Sequence, residues 1–466
     1  MRTGYGAASS DSTGDIRIRL LHYNPVETLA MHQTTSHETN LQHGAKFKEF
    51  DAFVNKHKTR NFWLHTFDGI FFFFGMSFMA FETVMPVFVL KLGGSNFIIS
   101  LIPFLFVLSN GISPILISYF IEQLDRKKPA VMVAGFLMRI PWLLIAVLTY
   151  AIAKNHPRLL LALLIFSAAI FAVGSGLVVS PWFDLVAKTT TLNIRGRMQS
   201  IRSGGGNLLG IAAGFMVSFV LANVGYPSNY ALLFGMGFSL LFVSLVMLSL
   251  VKEPVYPIKK PQSSPWQSLR SAPGILRSNT NFFYFVIIRS ILMFFFTSAA
   301  LFSAYAMQEF NLSESHAGIF TNVRTATFIA IAPLLGWLAD KRGHRFNLII
   351  ASLCAVGASV FALMSANIWL YYPAFVCVCI ILVTQLISGL NAIVEFCSSE
   401  ERPTYIGLCN MLMLPSAILA PIMGIITDAF GYHYLFIFQC FLGLTALALS
   451  IFKLKDPRTI PAGAGQ

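Results

Sequence analysis

Charge is what this chain has least of. Of its 466 residues only 11% are Asp, Glu, Lys or Arg, where a soluble chain carries about 25%. So few charges exclude an ordinary water-soluble enzyme or nucleic-acid-binding domain. The 44 phenylalanines, in a chain that is 56% hydrophobic, need lipid or other apolar helices around them. Cysteine is sparse as well. Cys354, Cys377, Cys379, Cys397, Cys409 and Cys440 all fall in apolar segments of the second half, and they read as reduced packing residues with no metal constellation. Catalytic groupings are missing: no His-x-x-His, no Ser-His-Asp set and no paired carboxylates in reach of one another. Gly204-Gly205-Gly206 lacks the Lys and Ser/Thr of a phosphate-binding loop. No cofactor and no enzyme activity are expected. Residues 1–60 are polar, so no secretory leader is read there either.

What fills the chain instead is a series of long apolar runs. A helix needs about 20 apolar residues to cross a bilayer. On that rule spans fall near 62–90, 96–121, 130–153, 158–182, 200–224, 229–251, 282–309, 316–339, 347–366, 368–396, 404–430 and 432–454. The expected fold is all-α and integral to the membrane, with twelve transmembrane helices. Six lie within 61–251 and six within 281–455, joined by a polar linker at 252–280 and flanked by tails at 1–60 and 456–466. Residues 1–40 lack the apolar content to fold. From Leu41 to Arg60, Phe47, Phe50, Phe53 and Val54 recur at helical spacing among Lys46, Lys48, Lys56, Lys58 and Arg60. That is the pattern of a basic amphipathic helix on an anionic membrane surface, or of a solvated linker helix.

Lys and Arg set the orientation. Of the 33, 27 fall in the tails and in loops after even-numbered spans. Lys91, Lys154 and Arg158 lie in the opposite loops, and Arg139, Arg289 and Arg324 inside spans. Both termini are therefore expected in the cytosol, with the protein in the plasma (inner) membrane. The net charge of +13 then reflects membrane topology and not nucleic acid.

The halves repeat. Asn61-Phe62 heads span 1 as Asn281-Phe282 heads span 7, and Leu92 follows span 1 as Leu312 follows span 7, each pair 220 residues apart. Arg197 precedes span 5 as Arg402 precedes span 11. Between spans 8 and 9 stands Gly336-Trp337-Leu338-Ala339-Asp340-Lys341-Arg342-Gly343-His344-Arg345. Its counterpart, Ser118 to Glu122 with Arg126-Lys127, comes 218 residues earlier. In the second-half loop, Gly336 and Ala339 let neighbouring backbones approach, Asp340 closes a helix and Gly343 permits a tight turn.

The order Gly-x-x-x-Asp-x-x-Gly-x-Arg resembles the signature loop of major facilitator superfamily transporters, and the likeness covers about residues 61–455. The first-half loop is degenerate, with Ser118, Glu122 and Asp125 in place of Gly, Asp and Gly. The resemblance implies two pseudo-symmetric six-helix bundles. It also implies that each loop latches the bundles in one conformation, Asp340 facing the start of span 5 and Glu122 the start of span 11. Arg126, Arg342 and Arg345 belong to the same latches. An acid near a helix start gains about 0.3–1 kcal/mol; the other reading is that both acids cap their own loops. Gly206, Gly210 and Gly214 in span 5 read as close helix packing. Drug–proton antiporters of the family carry an arginine in span 4 and a Gly-Pro pattern in span 5, and both are missing here.

Ionisable residues inside spans cost several kcal/mol and are functional candidates. Asp68, Gly75 and Glu82 are spaced by seven and share one face of a continuous helix, the two acids about 21 Å apart. The resemblance points that face into the central cavity. Arg289 is expected to meet Asp68 across the bundle interface, and Arg324 to lie at the depth of Glu82. Arg139 sits in mid-span 3. Asn110, Tyr305, Gln308, Asn322, Gln385 and Asn391 are candidate cavity linings or interhelical glue. Asp184 and Glu395 are expected to make gate contacts with Arg197, Arg202 or Arg402. These charges either couple protons to substrate or form fixed structural pairs. The expected function is a monomeric secondary transporter working by alternating access. It would take up a small organic anion or zwitterion with protons. The alternative is an exporter of amphipathic drugs, or a lipid flippase, on the same fold.

Overall fold

The structure, a computed structural model, describes residues 25–255, 274–398 and 401–459. Residues up to Ala52 form a unit of their own, and the fold below concerns Phe53 onward. Every regular element described is helical. In the first half these are α1 (Pro25–Ser77), α2 (Val84–Lys91), α3 (Asn96–Gln123), α4 (Lys128–Ile152), α5 (Pro157–Thr189), α6 (Leu192–Asn223) and α7 (Ser228–Ser249). In the second half they are α8 (Thr280–Glu309), α9 (His316–Arg342), α10 (His344–Met364), α11 (Ile368–Asn391), α12 (Arg402–Phe430) and α13 (Tyr432–Phe452). Eleven, from α3 to α13, are long and apolar enough to cross a membrane. The stretch Leu41–Arg60 belongs to α1, where Phe47 is exposed and Val54 buried. Most of the expected linker, the residues before 25 and those after 459 lie outside the described residues.

The remaining crossing is split. α1 ends at Ser77 and α2 begins at Val84, with Phe78–Thr83 unwound. Pro86 accounts for the break: it has no N–H for the carbonyl four residues back, which is Glu82, and its ring crowds that oxygen. The orphaned Glu82 carbonyl instead accepts a hydrogen bond from Ser303 Oγ of α8. Glu82 is thus in the unwound segment, and the expected shared helical face with Asp68 does not exist.

α3, α4, α5 and α7 pack on one another in the first bundle, and α8, α10, α11, α12 and α13 in the second. The bundles meet mainly along two seams, α3 against α12 and α6 against α9, and α8 adds contacts to α2 and α3. Glycine makes the second seam possible. A Cβ on Gly318 would collide with the backbone of Gly214 and Ser218. Gly206, Gly210 and Gly214 do pack closely, against Phe73, Ser77 with Thr325, and Asn322 respectively.

The internal repeat is built in hydrogen bonds. Asn61 grips the backbone of Lys252 at both ends, Nδ2 to O at 3.0 Å and Oδ1 from N–H at 3.1 Å. Asn281 grips Lys455 in the same way, at 3.0 and 2.9 Å. The next residue is acidic in each half. Glu253 accepts the N–H groups of Lys127 and Lys128 at the start of α4, at 2.6 and 2.9 Å. Asp456 lies against Gly343 at the start of α10, where a Cβ would collide with its carboxylate. In return, basic residues of the third helix of each bundle satisfy the last carbonyls of the sixth. Lys128 Nζ reaches Ser249 O and Val251 O, and Arg345 reaches Ser450 O and Ile451 O. A cation there suits the helix dipole.

Candidate functional site

Asp68 is buried in the first bundle, 1% exposed, and it does not meet Arg289. Its Oδ1 accepts a 2.7 Å hydrogen bond from Ser244 Oγ of α7. Its Oδ2 lies 3.2 Å from Arg202 Nη2 of α6. That contact has the distance of an ion pair without hydrogen-bond alignment. Oδ2 and the Arg202 Nε and Nη1 therefore have no hydrogen-bond partner among the described residues. Arg202 was counted above with a loop; in the structure it is 8% exposed inside α6. Gly69 makes room for it, since a Cβ there would collide with the Arg202 side chain. The Trp182 ring covers its guanidinium at 4.2 Å, a cation–π contact. His65 lies beside this cluster, its Nε2 2.9 Å from Thr189 Oγ1.

Arg139 shares Ser244 with Asp68, but each of its nitrogens has an oxygen partner. Nε donates to Leu241 O at 2.7 Å, Nη1 to Gly135 O at 2.9 Å and Nη2 to Ser244 Oγ at 2.9 Å. Two arginines and one aspartate leave this buried cluster with one positive charge in excess.

Arg289 is buried in the other bundle, 4% exposed. Its contacts are Gln385 Oε1 of α11 and Cys409 Sγ of α12, both at 3.4 Å, and Gln385 Nε2 donates back to Arg289 O at 3.2 Å. No acid pairs with it among the described residues. The expected Asp68–Arg289 bridge is replaced by two separate sites, one in each bundle.

Toward the opposite membrane face, the far face, lies a third group. Thr83 and Thr321 hydroxyls meet at 2.6 Å across the bundle interface. Arg324 Nε and Asn322 Oδ1 are buried without hydrogen-bond partners among the described residues. No ion pair between Glu82 and Arg324 is described.

Every described polar contact between the bundles lies toward this far face. Besides Thr83–Thr321 and Ser303–Glu82, Ser218 Oγ donates to Ser315 O at 2.8 Å, and Tyr432 Oη to Asn96 Oδ1 at 2.6 Å. Asp428 accepts from the N–H groups of Asn96 and Phe97, and Lys91 pairs with Glu314.

The residues expected to form latches and gates stand otherwise. Asp340 is exposed, and only its carbonyl is engaged, by Arg458 at 3.1 Å. α9 runs past it to Arg342, so it closes no helix. Gly343 turns the chain with φ +81° as expected, but a Cβ on Gly336 would touch nothing, so no close approach occurs there. Arg342 stacks over Phe346 at 5.1 Å and Arg345 caps α13. The Glu122 side chain lies outside the described residues. Arg126, Arg197 and Arg402 are exposed, and Asp184 makes no described ion pair. Glu395 lies 3.7 Å from Arg458 and 4.0 Å from His344, not at Arg402. Burial raises its pKa, against the pull of Arg458. Among the lining candidates, Asn110 bonds Phe106 O and Ser175, and Asn391 its own helix. Tyr305 sits in an aromatic cluster with Tyr371, Tyr432 and Phe436, and Gln308 is exposed.

A sequence model of the Major Facilitator Superfamily matches residues 68–308 and 291–465. The chain belongs to that superfamily. No curated protein matches its sequence. Among solved structures it is similar to a nucleoside transporter, with TM-score 0.67 and 12% identity, over 84% of this chain and 98% of that one. It is also similar to a D-xylose–proton symporter, with TM-score 0.63 and 12% identity, over 88% and 99%. A bacterial homologue of the iron transporter ferroportin in an inward-facing state gives TM-score 0.63 and 13% identity, over 84% and 98%. At such identities the likeness is one of fold.

Ser244, His65 and Glu253 were not among the expected site residues, and Arg202, expected as a gate contact of Asp184 or Glu395, lies at Asp68 instead. A signal for Glu253 was present, for Lys252-Glu253-Pro254 recurs as Lys455-Asp456-Pro457. Nothing in spacing alone pairs Asp68 with a helix more than a hundred residues away.

Proposed function

We propose that this protein is a secondary transporter that carries a small organic anion or zwitterion together with protons by alternating access. The observation that supports it is the buried Asp68–Arg202 contact. A charge pair withdrawn from water is costly unless fully satisfied, and here donors of Arg202 stay unpaired beside a surplus positive charge. Protonation of Asp68 would release Arg202 toward a negatively charged solute, and loss of the solute would return it. That exchange couples the two movements.

The lysine and arginine asymmetry supports cytosolic termini in a plasma membrane. With that orientation, contacts confined to the far face correspond to a state closed outside and open inside. The exposed, disengaged Asp340 fits a latch that closes only in the opposite state.

Purified protein in liposomes tests the reading. An acid-outside gradient should drive accumulation of an anionic solute. Asp68→Asn should keep solute exchange but lose accumulation driven by the gradient. Full accumulation in Asp68→Asn would overturn the coupling role.

A further inference from the structure

Two membrane-buried arginines, Arg139 and Arg289, are held in opposite ways. A guanidinium that only glues helices together is bonded at every nitrogen to backbone and hydroxyl oxygens, as Arg139 is at Nε, Nη1 and Nη2. Arg289 is not. An amide oxygen and a thiol stand at 3.4 Å from Nε and Nη1, and Nη2 has no hydrogen-bond partner among the described residues. Charge-assisted bonds to oxygen are normally about 2.7–2.9 Å long, so the Gln385 contact is slack, and the Cys409 thiol is only a weak acceptor for a guanidinium. Gly389 of α11 leaves the space around Nη2, where a Cβ would crowd the guanidinium.

The repeat sharpens the contrast. At the offset of 220, Arg289 stands where Gly69 stands in the first half, and Ile288 where Asp68 stands. The second bundle therefore holds the cation and has an isoleucine in place of the acid. Its counter-charge must come from outside the protein or be absent.

We propose that Arg289 binds an oxyanion of the transported solute, a carboxylate or phosphate group, with Gln385 and Cys409 holding the guanidinium in the empty state and yielding it to the ligand. This rests on the anion reading above and adds a grip from the second bundle to that of Arg202 in the first. The planar fork of arginine suits a bidentate oxyanion, which a lysine cannot match. Competition follows: removing a resting partner of Arg289 should tighten the anion, while removing Arg289 should lose it. A purely structural arginine gives no tightening.

The test is binding of succinate, glutamate, glycerol 3-phosphate and inorganic phosphate to the purified full chain, by calorimetry and thermal shift. The variants are Arg289→Gln, Arg289→Lys and Gln385→Leu. At least one probe should bind the unmodified protein, and the carboxylate and phosphate arms show which oxyanion is taken. Arg289→Gln should weaken that probe by about thirtyfold, as expected for a lost hydrogen bond to a charged group. Arg289→Lys should fall between, and Gln385→Leu should tighten binding severalfold. Equal binding to Arg289→Gln would overturn the assignment of Arg289 while leaving the anion reading intact. No binding of any probe to the unmodified protein would overturn both. Should Arg289→Gln fail to fold, Gln385→Leu decides: tighter binding supports the proposal and unchanged binding overturns it.

Discussion

Asp428, at the end of α12, caps the start of α3 in the opposite bundle: Oδ1 accepts from the Asn96 N–H at 2.8 Å and Oδ2 from the Phe97 N–H at 3.1 Å. Helix N-termini carry orphan donors and a positive dipole end, so a carboxylate there satisfies both. The contact bridges the bundles, so it can exist only while the far face is closed. Asp428→Ala should destabilise the closed state by about 0.5–2 kcal/mol, the usual cost of a lost cap. A reporter cysteine at Ser100, fully buried one turn along α3 against Gly424 of α12, should then react faster with a membrane-impermeant thiol reagent. An unchanged rate would mean that Asp428 does not hold the gate.

Lys91 and Glu314 also cross the interface, at 2.6 Å, but their side chains are 38% and 27% exposed. Water and salt screen such a pair, and its net worth is about 0–1 kcal/mol. Lys91→Met should therefore change far-face labelling less than Asp428→Ala does. Raising the salt concentration should mimic Lys91→Met but leave the Asp428 effect in place. A larger effect from Lys91→Met would reverse this ranking.

The Asp68–Arg202 contact calls for the opposite arithmetic. Removing Asp68 alone strands a buried guanidinium, which costs about 3–5 kcal/mol, whereas replacing both charges with apolar groups of similar size can be neutral or stabilising. Asp68→Leu should lower the melting temperature of the purified protein sharply, and Asp68→Leu with Arg202→Met should recover most of it. Both should be inactive in transport. Failure of the double variant to recover would mean that the cluster is needed for folding and not retained for coupling.

The span count, the bundle repeat and the turn at Gly343 were legible because they depend on local pattern: length of apolar run, offset of Asn61 from Asn281, and a backbone only glycine adopts easily. The Asn61–Lys252 and Asn281–Lys455 grips give the asparagine at the head of each bundle the same task. Charge partners were not legible. Arg289 was paired with Asp68 because both lie on the first helix of a bundle at similar depth, yet each found its partners within its own bundle. Arg202 was read as a loop residue because the apolar run begins near it, while α6 starts ten residues earlier, at Leu192. Glu82 was placed on the Asp68 face by counting sevens through Gly75, across a stretch that unwinds just before Pro86. That proline was the visible warning that the count does not carry.

The same proline yields the last prediction. Because Pro86 has no N–H, the carbonyl of Glu82 depends on Ser303 Oγ in the other bundle. Ser303→Ala should leave that buried oxygen unsatisfied at a cost of about 1–3 kcal/mol, and only in the state closed at the far face. Far-face labelling should rise by about tenfold or more while the closed state predominates at rest. Pro86→Ala restores an N–H four residues after the carbonyl and lets α1 and α2 close the gap with their own hydrogen bond. In that background Ser303→Ala should become nearly silent. Two effects that instead simply add would show that the residues act independently, since only groups sharing a partner give a coupling energy.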